Sequence, residues 1–234
     1  MASTLKTKGI ILKIKDTPGK DKLLFILTEK GILKGFMTPK KSAGKKSFTF
    51  DLFTLAEVVY FKTDSGNNLI NSIIPEEYYY GIREDITRFY AAGYFASLAL
   101  YTAESEDTDL VFLFNLLKTS FEKISAGDSI YKVKPVFELS ITKLLGISPC
   151  LEAERKGNEY YFSMADGRLY LSPVPNSVYV LRSTVMLVYK ILTSNVLFPE
   201  FEPDNNLYLL CEQYLLFQTE RSFDTLKYLN GVIQ

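Results

Sequence analysis

The chain has 234 residues, 47% of them apolar and 14% aromatic, which excludes wholesale disorder and suits one large or two to three small domains. Its 27 basic and 27 acidic side chains balance, and it contains no histidine, so His-ligated metals and Ser-His or Cys-His nucleophile pairs are excluded. No apolar run reaches the roughly 18 residues that span a bilayer, and the opening MASTLKTKGI lacks the apolar core of a signal peptide. The expected setting is therefore cytoplasmic. Only Cys150 and Cys211 are present, far apart and in no C-x-x-C spacing, so they read as reduced, small apolar residues.

The neutral total hides a division. Residues 1–75 hold 13 Lys and no Arg against 6 acidic residues, a net of +7, and the remainder holds 14 basic against 21 acidic, a net of −7. Segregation of this kind points to a cationic module facing an anionic partner, joined to a body with another task.

In chain order, Gly9-Ile-Ile-Leu-Lys-Ile-Lys15 alternates as a strand, with Ile10, Leu12 and Ile14 on one face and Ile11, Lys13 and Lys15 on the other. Asp16-Thr-Pro-Gly19 turns the chain. Leu23–Thr28 and Ile32–Met37 form a hairpin across Glu29-Lys-Gly31. TPKKSAGKKS follows, four lysines in ten positions with no acid. Further strands run over Thr54–Lys62 and Leu69–Ile74, separated by the turn signal DSGNN. Five short strands rich in Ile, Val, Tyr and Phe suit a small OB-type barrel better than an open sheet with edges to protect.

Past Pro75 the period becomes helical. Ile82, Ile86, Phe89, Gly93, Ala96 and Leu100 make one stripe, with Gly93 placed where another helix approaches. Asp107 or Thr108 caps a second helix running to about Ser125, with Val111, Phe114, Leu117 and Phe121 inward. A third, Pro135–Leu145, ends at Gly146. Tyr160–Phe162 and Leu169–Leu171 read as a small hairpin, and helices follow over Ser177–Thr193, Asn205–Glu220 and Ser222–Tyr228. The fold class is α+β: a barrel over 1–76 and a helical domain over 77–234, with a hairpin inserted at 150–175.

Ordered together, these pieces resemble RecO, the bacterial recombination mediator family, over nearly the whole chain. The resemblance rests on Thr7-Lys-Gly-Ile-Ile-Leu-Lys13, Asp21-Lys-Leu-Leu24, Thr28-Glu-Lys-Gly31 and the basic loop ending in Lys-Ser. It continues through Phe53-Thr-Leu-Ala-Glu-Val58, Arg83-Glu-Asp85, Phe137–Gly146 with Pro149, and Arg221–Leu229. Two departures stand out. Thr38-Pro39 occupies the place of Lys-Gly before the lysine loop. Many members carry four zinc-binding cysteines after Gly-x-x-Pro, yet here Glu154 holds the first such position and the hairpin around Gly167 has none. A structural zinc site needs four good ligands, so no metal or other cofactor is expected. Tyr160, Tyr161, Phe162 and Tyr170 then pack a zinc-free remnant hairpin.

The resemblance implies a DNA repair protein, nucleoid-associated and without catalytic residues. Such a protein binds single- and double-stranded DNA and anneals complementary strands. With RecR, and often RecF, it loads RecA onto DNA coated by single-stranded-DNA-binding protein, whose acidic C-terminal tail it engages. An OB barrel holds single strands with a cationic groove and apolar platforms. The candidate DNA contacts are Lys13, Lys15, Lys34, Lys40, Lys41, Lys45, Lys46 and Phe48, with Phe36 placed either in the core or against a base. Lys rather than Arg favours phosphate contact over base readout. Arg83, Arg88, Arg182 and Lys190 are candidate rims for the acidic tail, none singled out by sequence. Two other classes fit the lysines alone: a barrel docking an acidic protein surface as a scaffold, and an RNA-binding module.

Overall fold

The computed structural model describes residues 4–19, 21–38, 50–63, 67–151 and 157–233. Lys40, Lys41, Lys45, Lys46, Phe48 and Glu154 lie outside the described residues. Five strands come first: β1 (Thr4–Asp16), β2 (Lys22–Thr28), β3 (Gly31–Met37), β4 (Leu55–Lys62) and β5 (Asn68–Glu77). They pair around a ring in the order β1-β2-β3-β5-β4, with β4 returning to β1. All contacts are antiparallel except the seam between β3 and β5, which is parallel and only two residue pairs long, Gly35↔Asn68 and Phe36↔Leu69. Gly35 makes that crossing possible, since a Cβ there would lie 2.8 Å from the Ile70 side chain.

Ile11, Leu24, Ile26, Leu33, Val58, Ile70 and Ile73 fill the interior of the ring, joined by Ile14 and Met37. This differs from the strict alternation expected along β1. The register shifts between Ile11 and Lys13, so Leu12 is an extra residue facing outward beside Lys13. The bulge sits where β1 changes partner. Ile11 there donates to the carbonyl of Thr54 at 3.0 Å and accepts from the amide of Phe53 at 2.8 Å.

The helices follow: α1 (Tyr80–Arg83), α2 (Ile86–Thr102), α3 (Leu110–Ala126), α4 (Ile130–Leu144), α5 (Arg182–Thr193), α6 (Asn205–Thr219) and α7 (Asp224–Ile233). Ile86 and Phe89, expected on an inward stripe, are exposed. The core side of α2 is instead Ala91, Ala92, Tyr94, Phe95, Ala96, Leu98 and Ala99, a broad surface enclosed by the ring and the neighbouring helices. Gly93 does face a helix, α7, whose Thr225 methyl would touch an added Cβ at 3.5 Å. Asp109 caps α3 by accepting from the Phe112 amide, in place of the expected Asp107 or Thr108. Pro135 lies inside α4, not at its start, because burial of Ile130 and Val133 extends the helix past the one bond proline forfeits.

Gly81 marks a close approach of two helices. A Cβ there would come within 2.0 Å of the Ser125 carbonyl oxygen at the end of α3. Gly81→Ala should therefore destabilise the fold by about 2–3 kcal/mol in denaturant titrations. A loss under about 0.5 kcal/mol would mean α1 moves aside freely.

Between α4 and α5 lies a three-stranded sheet of order β7-β6-β8, built from β6 (Glu159–Ser163), β7 (Leu169–Tyr170) and β8 (Ser177–Leu181). The expected hairpin is β6 and β7. The third strand replaces the first turn and more of the helix expected from Ser177: Val180 packs with Tyr160 and Phe162 in a core shared with α4, α5 and α6. Tyr161 points the other way, against Tyr179, and the Tyr170 hydroxyl donates to Asp166 at 2.6 Å. Cys211 is buried in that core, while Cys150 is exposed.

The helical core also holds charge. Lys134 of α4 is fully buried, with its Nζ 2.9 Å from Glu138 Oε1 and 2.8 Å from Glu212 Oε2, over the Tyr208 ring at 3.9 Å. The Tyr94 hydroxyl donates to Glu138, and Asn230 of α7 donates to Glu212. Burial pushes the Glu138 carboxyl up to about 7, with Lys134 and Tyr94 opposing the rise and Glu212 adding to it.

Candidate nucleic-acid interface

Hairpin geometry arranges the outer face of β1, β2 and β3. The two-residue connection Glu29-Lys30 sets Thr28 opposite Gly31, a glycine at φ 116°. Counting back from that turn aligns three cross-strand rows. The first, Ile10–Leu27–Ile32, is covered by the helices and joins their core. The second is Lys13–Phe25–Lys34, and the third is Lys15–Leu23–Phe36. These two rows emerge beyond the helices: Lys13, Lys15 and Lys34 are exposed, and Leu23, Phe25 and Phe36 are half-buried.

Phe25 is the centre of this platform. Lys15 Nζ stands 5.5 Å and Lys34 Nζ 5.7 Å from its ring centroid. Apolar ring and flanking ammonium groups together offer a base a stacking surface and a phosphate a counter-charge. Phe25 was absent from the sequence-derived candidates, yet the turn register sufficed to find it, since it sets Phe25 opposite Lys34. Phe36 belongs to the outer face, not to the ring interior.

Three other lysines of the ring are occupied. Lys6 pairs with Glu57 at 3.1 Å, Lys8 with Glu76 at 2.5 Å and Lys22 with Asp16 at 2.9 Å. Among the described residues no carboxylate pairs with Lys13 or Lys15. Uncompensated positive charge thus collects on the β1–β3 face, while the face across β1 and β4 is neutralised.

The four cations considered as rims for an acidic tail are engaged with main chain. Arg83 donates to the carbonyls of Tyr78 and, at 2.6 Å, Leu52, and pairs with Asp51 at 3.3 Å. Arg88 donates to Gly81, Arg182 to Gly157 and Lys190 to Glu200. Their positions are explained by bracing loops. No helix among the described residues is long and apolar enough to cross a membrane.

Fold and site define an α+β protein in which a five-stranded ring, set on a helical body, presents a cationic and aromatic face. Residues 83–183 match the family model of the recombination protein O C terminal. The DNA repair protein RecO of Alkaliphilus metalliredigens is 28% identical over 180 residues, 70% of each chain. That of Lactococcus lactis subsp. cremoris strain SK11 is 30% identical over 145 residues, and that of Clostridium novyi 28% over 149. These two matches cover 61% and 62% of this chain and 57% of each relative, less than two thirds of their length. The chain is thus similar to DNA repair proteins of the RecO family.

Proposed function

We propose that this chain is a recombination mediator that binds DNA on the β1–β3 face and acts without covalent chemistry. The observation that carries the reading is the row Lys13–Phe25–Lys34, a half-buried ring flanked by ammonium groups on the part of the β1–β3 face that the helices leave uncovered. On this reading the strands form an OB-type barrel, residues 1–76 are the DNA-binding unit and residues 77–234 engage partners. Lys13 and Lys15 hold phosphates, Lys34 offers a further phosphate contact at the β3 edge, and Phe25 and Phe36 support bases. Lys40, Lys41, Lys45, Lys46 and Phe48, which follow β3 in the chain, extend the same contact. The family's further roles complete the proposal: annealing of complementary strands, cooperation with RecR and RecF, and loading of RecA onto DNA coated by single-stranded-DNA-binding protein.

Titrating a fluorescent single-stranded oligonucleotide at several salt concentrations tests this. Log affinity should fall by roughly 0.7 per log of salt for each phosphate neutralised. The K13Q/K15Q pair should flatten that slope by roughly one to one and a half, and Phe25→Ala should weaken binding about tenfold at every salt concentration. Wild-type affinity in both variants would remove this face from DNA binding. Equal competition by an acidic protein would favour the scaffold reading, and preference for an RNA of the same sequence the RNA-binding one.

A further inference from the structure

Lys34 differs from its neighbours Lys13 and Lys15 in one respect. It faces a carboxylate as well as the Phe25 ring: its Nζ lies 3.8 Å from Glu104 Oε1, and both side chains are more than half exposed. Glu104 belongs to the connection between α2 and α3, Ala-Glu-Ser-Glu-Asp-Thr-Asp over residues 103–109, which carries four acids and no base. Glu104, Glu106, Asp107 and Asp109 are all exposed.

This acidic connection is held in place. The amides of Glu104 and Ser105 donate to Tyr101 and Thr102 at 3.2 and 3.1 Å, and the Thr108 hydroxyl returns to Thr102 at 2.9 Å. Asp109 is bound to the first turn of α3. Just past it, the Leu110 side chain lies 3.7 Å from where a Cβ on Gly31 would stand, which seats the start of α3 against the β2–β3 turn. A fixed line of negative charge therefore borders the cationic platform on its β3 side.

We infer that Glu104 is an internal competitor for DNA: it occupies Lys34 in place of a phosphate and closes the β3 edge of the platform to the strand. The inference rests on the reading of the β1–β3 face as the DNA site and adds a boundary to it. An exposed pair at this separation is weak, so a phosphate displaces Glu104 at modest cost, while the neighbouring acids repel backbone within about a Debye length, roughly 10 Å at 0.1 M salt. Nucleic acid is thereby directed across Lys13 and Lys15, away from the helical body on that side. Lys34 becomes a contact held in reserve.

The test is a double-mutant cycle on the full chain with the same fluorescent oligonucleotide. E104Q should bind about two- to fivefold tighter at low salt, with a salt slope steeper by up to roughly 0.7, one additional phosphate contact. The gain should vanish in E104Q/K34Q, and K34Q should cost more affinity in the E104Q background than in the wild type. Unchanged or weaker binding by E104Q, with K13Q/K15Q still weakened, would overturn the competition while leaving the face intact. So would a gain that survives in E104Q/K34Q. Indifference of binding to K13Q/K15Q and E104Q alike would reject the face itself, and the boundary with it. Thermal midpoints of all four proteins should agree, because the pair is too exposed to support the fold.

Discussion

Replacing Lys134 by Met should cost the protein about 3–5 kcal/mol, the penalty for leaving buried partner charges uncompensated. Lys134 is inaccessible to solvent, and among the described residues its ammonium is the only positive charge paired with Glu138 and Glu212, at 2.9 and 2.8 Å. Methionine keeps the length of the stem but removes the charge and the contact with the Tyr208 ring. At pH 8 both carboxylates then stand in an apolar interior with Tyr94 and Asn230 as donors. For a chain of this size the loss corresponds to a fall in thermal midpoint on the order of 10 °C. Adding E138Q to K134M should recover part of it, since one of the stranded charges is gone. A K134M midpoint within a degree or two of the wild type would mean that water or a rearranged side chain replaces the ammonium.

Stability should also fall as pH rises through the range where Glu138 titrates. The carboxyl keeps its ordinary value of 4.5 when unfolded and is pushed up to about 7 in the fold, chiefly by burial. The folded state therefore binds more protons across that window, and the sign follows: stabilisation by the bound proton is full below about 4.5 and is lost as pH climbs to about 7. At 1.36 kcal/mol per unit the difference is about 3 kcal/mol. Urea midpoints measured from pH 5 to 8 should decline for the wild type relative to E138Q, whose amide cannot ionise. Parallel curves for the two proteins would place the proton elsewhere. Both results concern the attachment of α7, because Asn230 is bound to a carboxylate that shares Lys134 with Glu138.

Local patterns carried most of the architecture. Five strands and the helices after Pro75 were legible because period and turn residues are local quantities. What failed depends on distant neighbours. Leu12 reads as inward-facing until Phe53 and Thr54, just before β4, are known to take up the carbonyl and amide of Ile11 at the bulge. Ser177–Leu181 carries enough apolar residues for a helix, and only pairing with β6 makes it a strand. The stripe through Ile86 and Phe89 was too narrow for a helix enclosed by so many partners. Of the candidate site, Lys13, Lys15 and Lys34 were found from charge, and Phe25 was recoverable from the two-residue turn. Glu104 was not, since its place beside Lys34 is set by how α3 meets the β2–β3 turn. Nor does the sequence distinguish Lys134 from any surface lysine, because its burial is a property of three packed helices.

The row Ile10–Leu27–Ile32 makes the strand ring unsuitable as a transplantable cassette. These side chains complete the helical core, together with Phe53, whose ring stands edge-on to both Phe89 and Phe121. Cutting the chain near residue 77 would turn that seam into an open greasy face, the kind of surface that drives association between copies. The same seam couples the two parts mechanically. A strand pulled across Phe25 works against a floor whose next row is bolted into the helices, so the load passes to the body with little give. Ring and body should melt together, as a single calorimetric event.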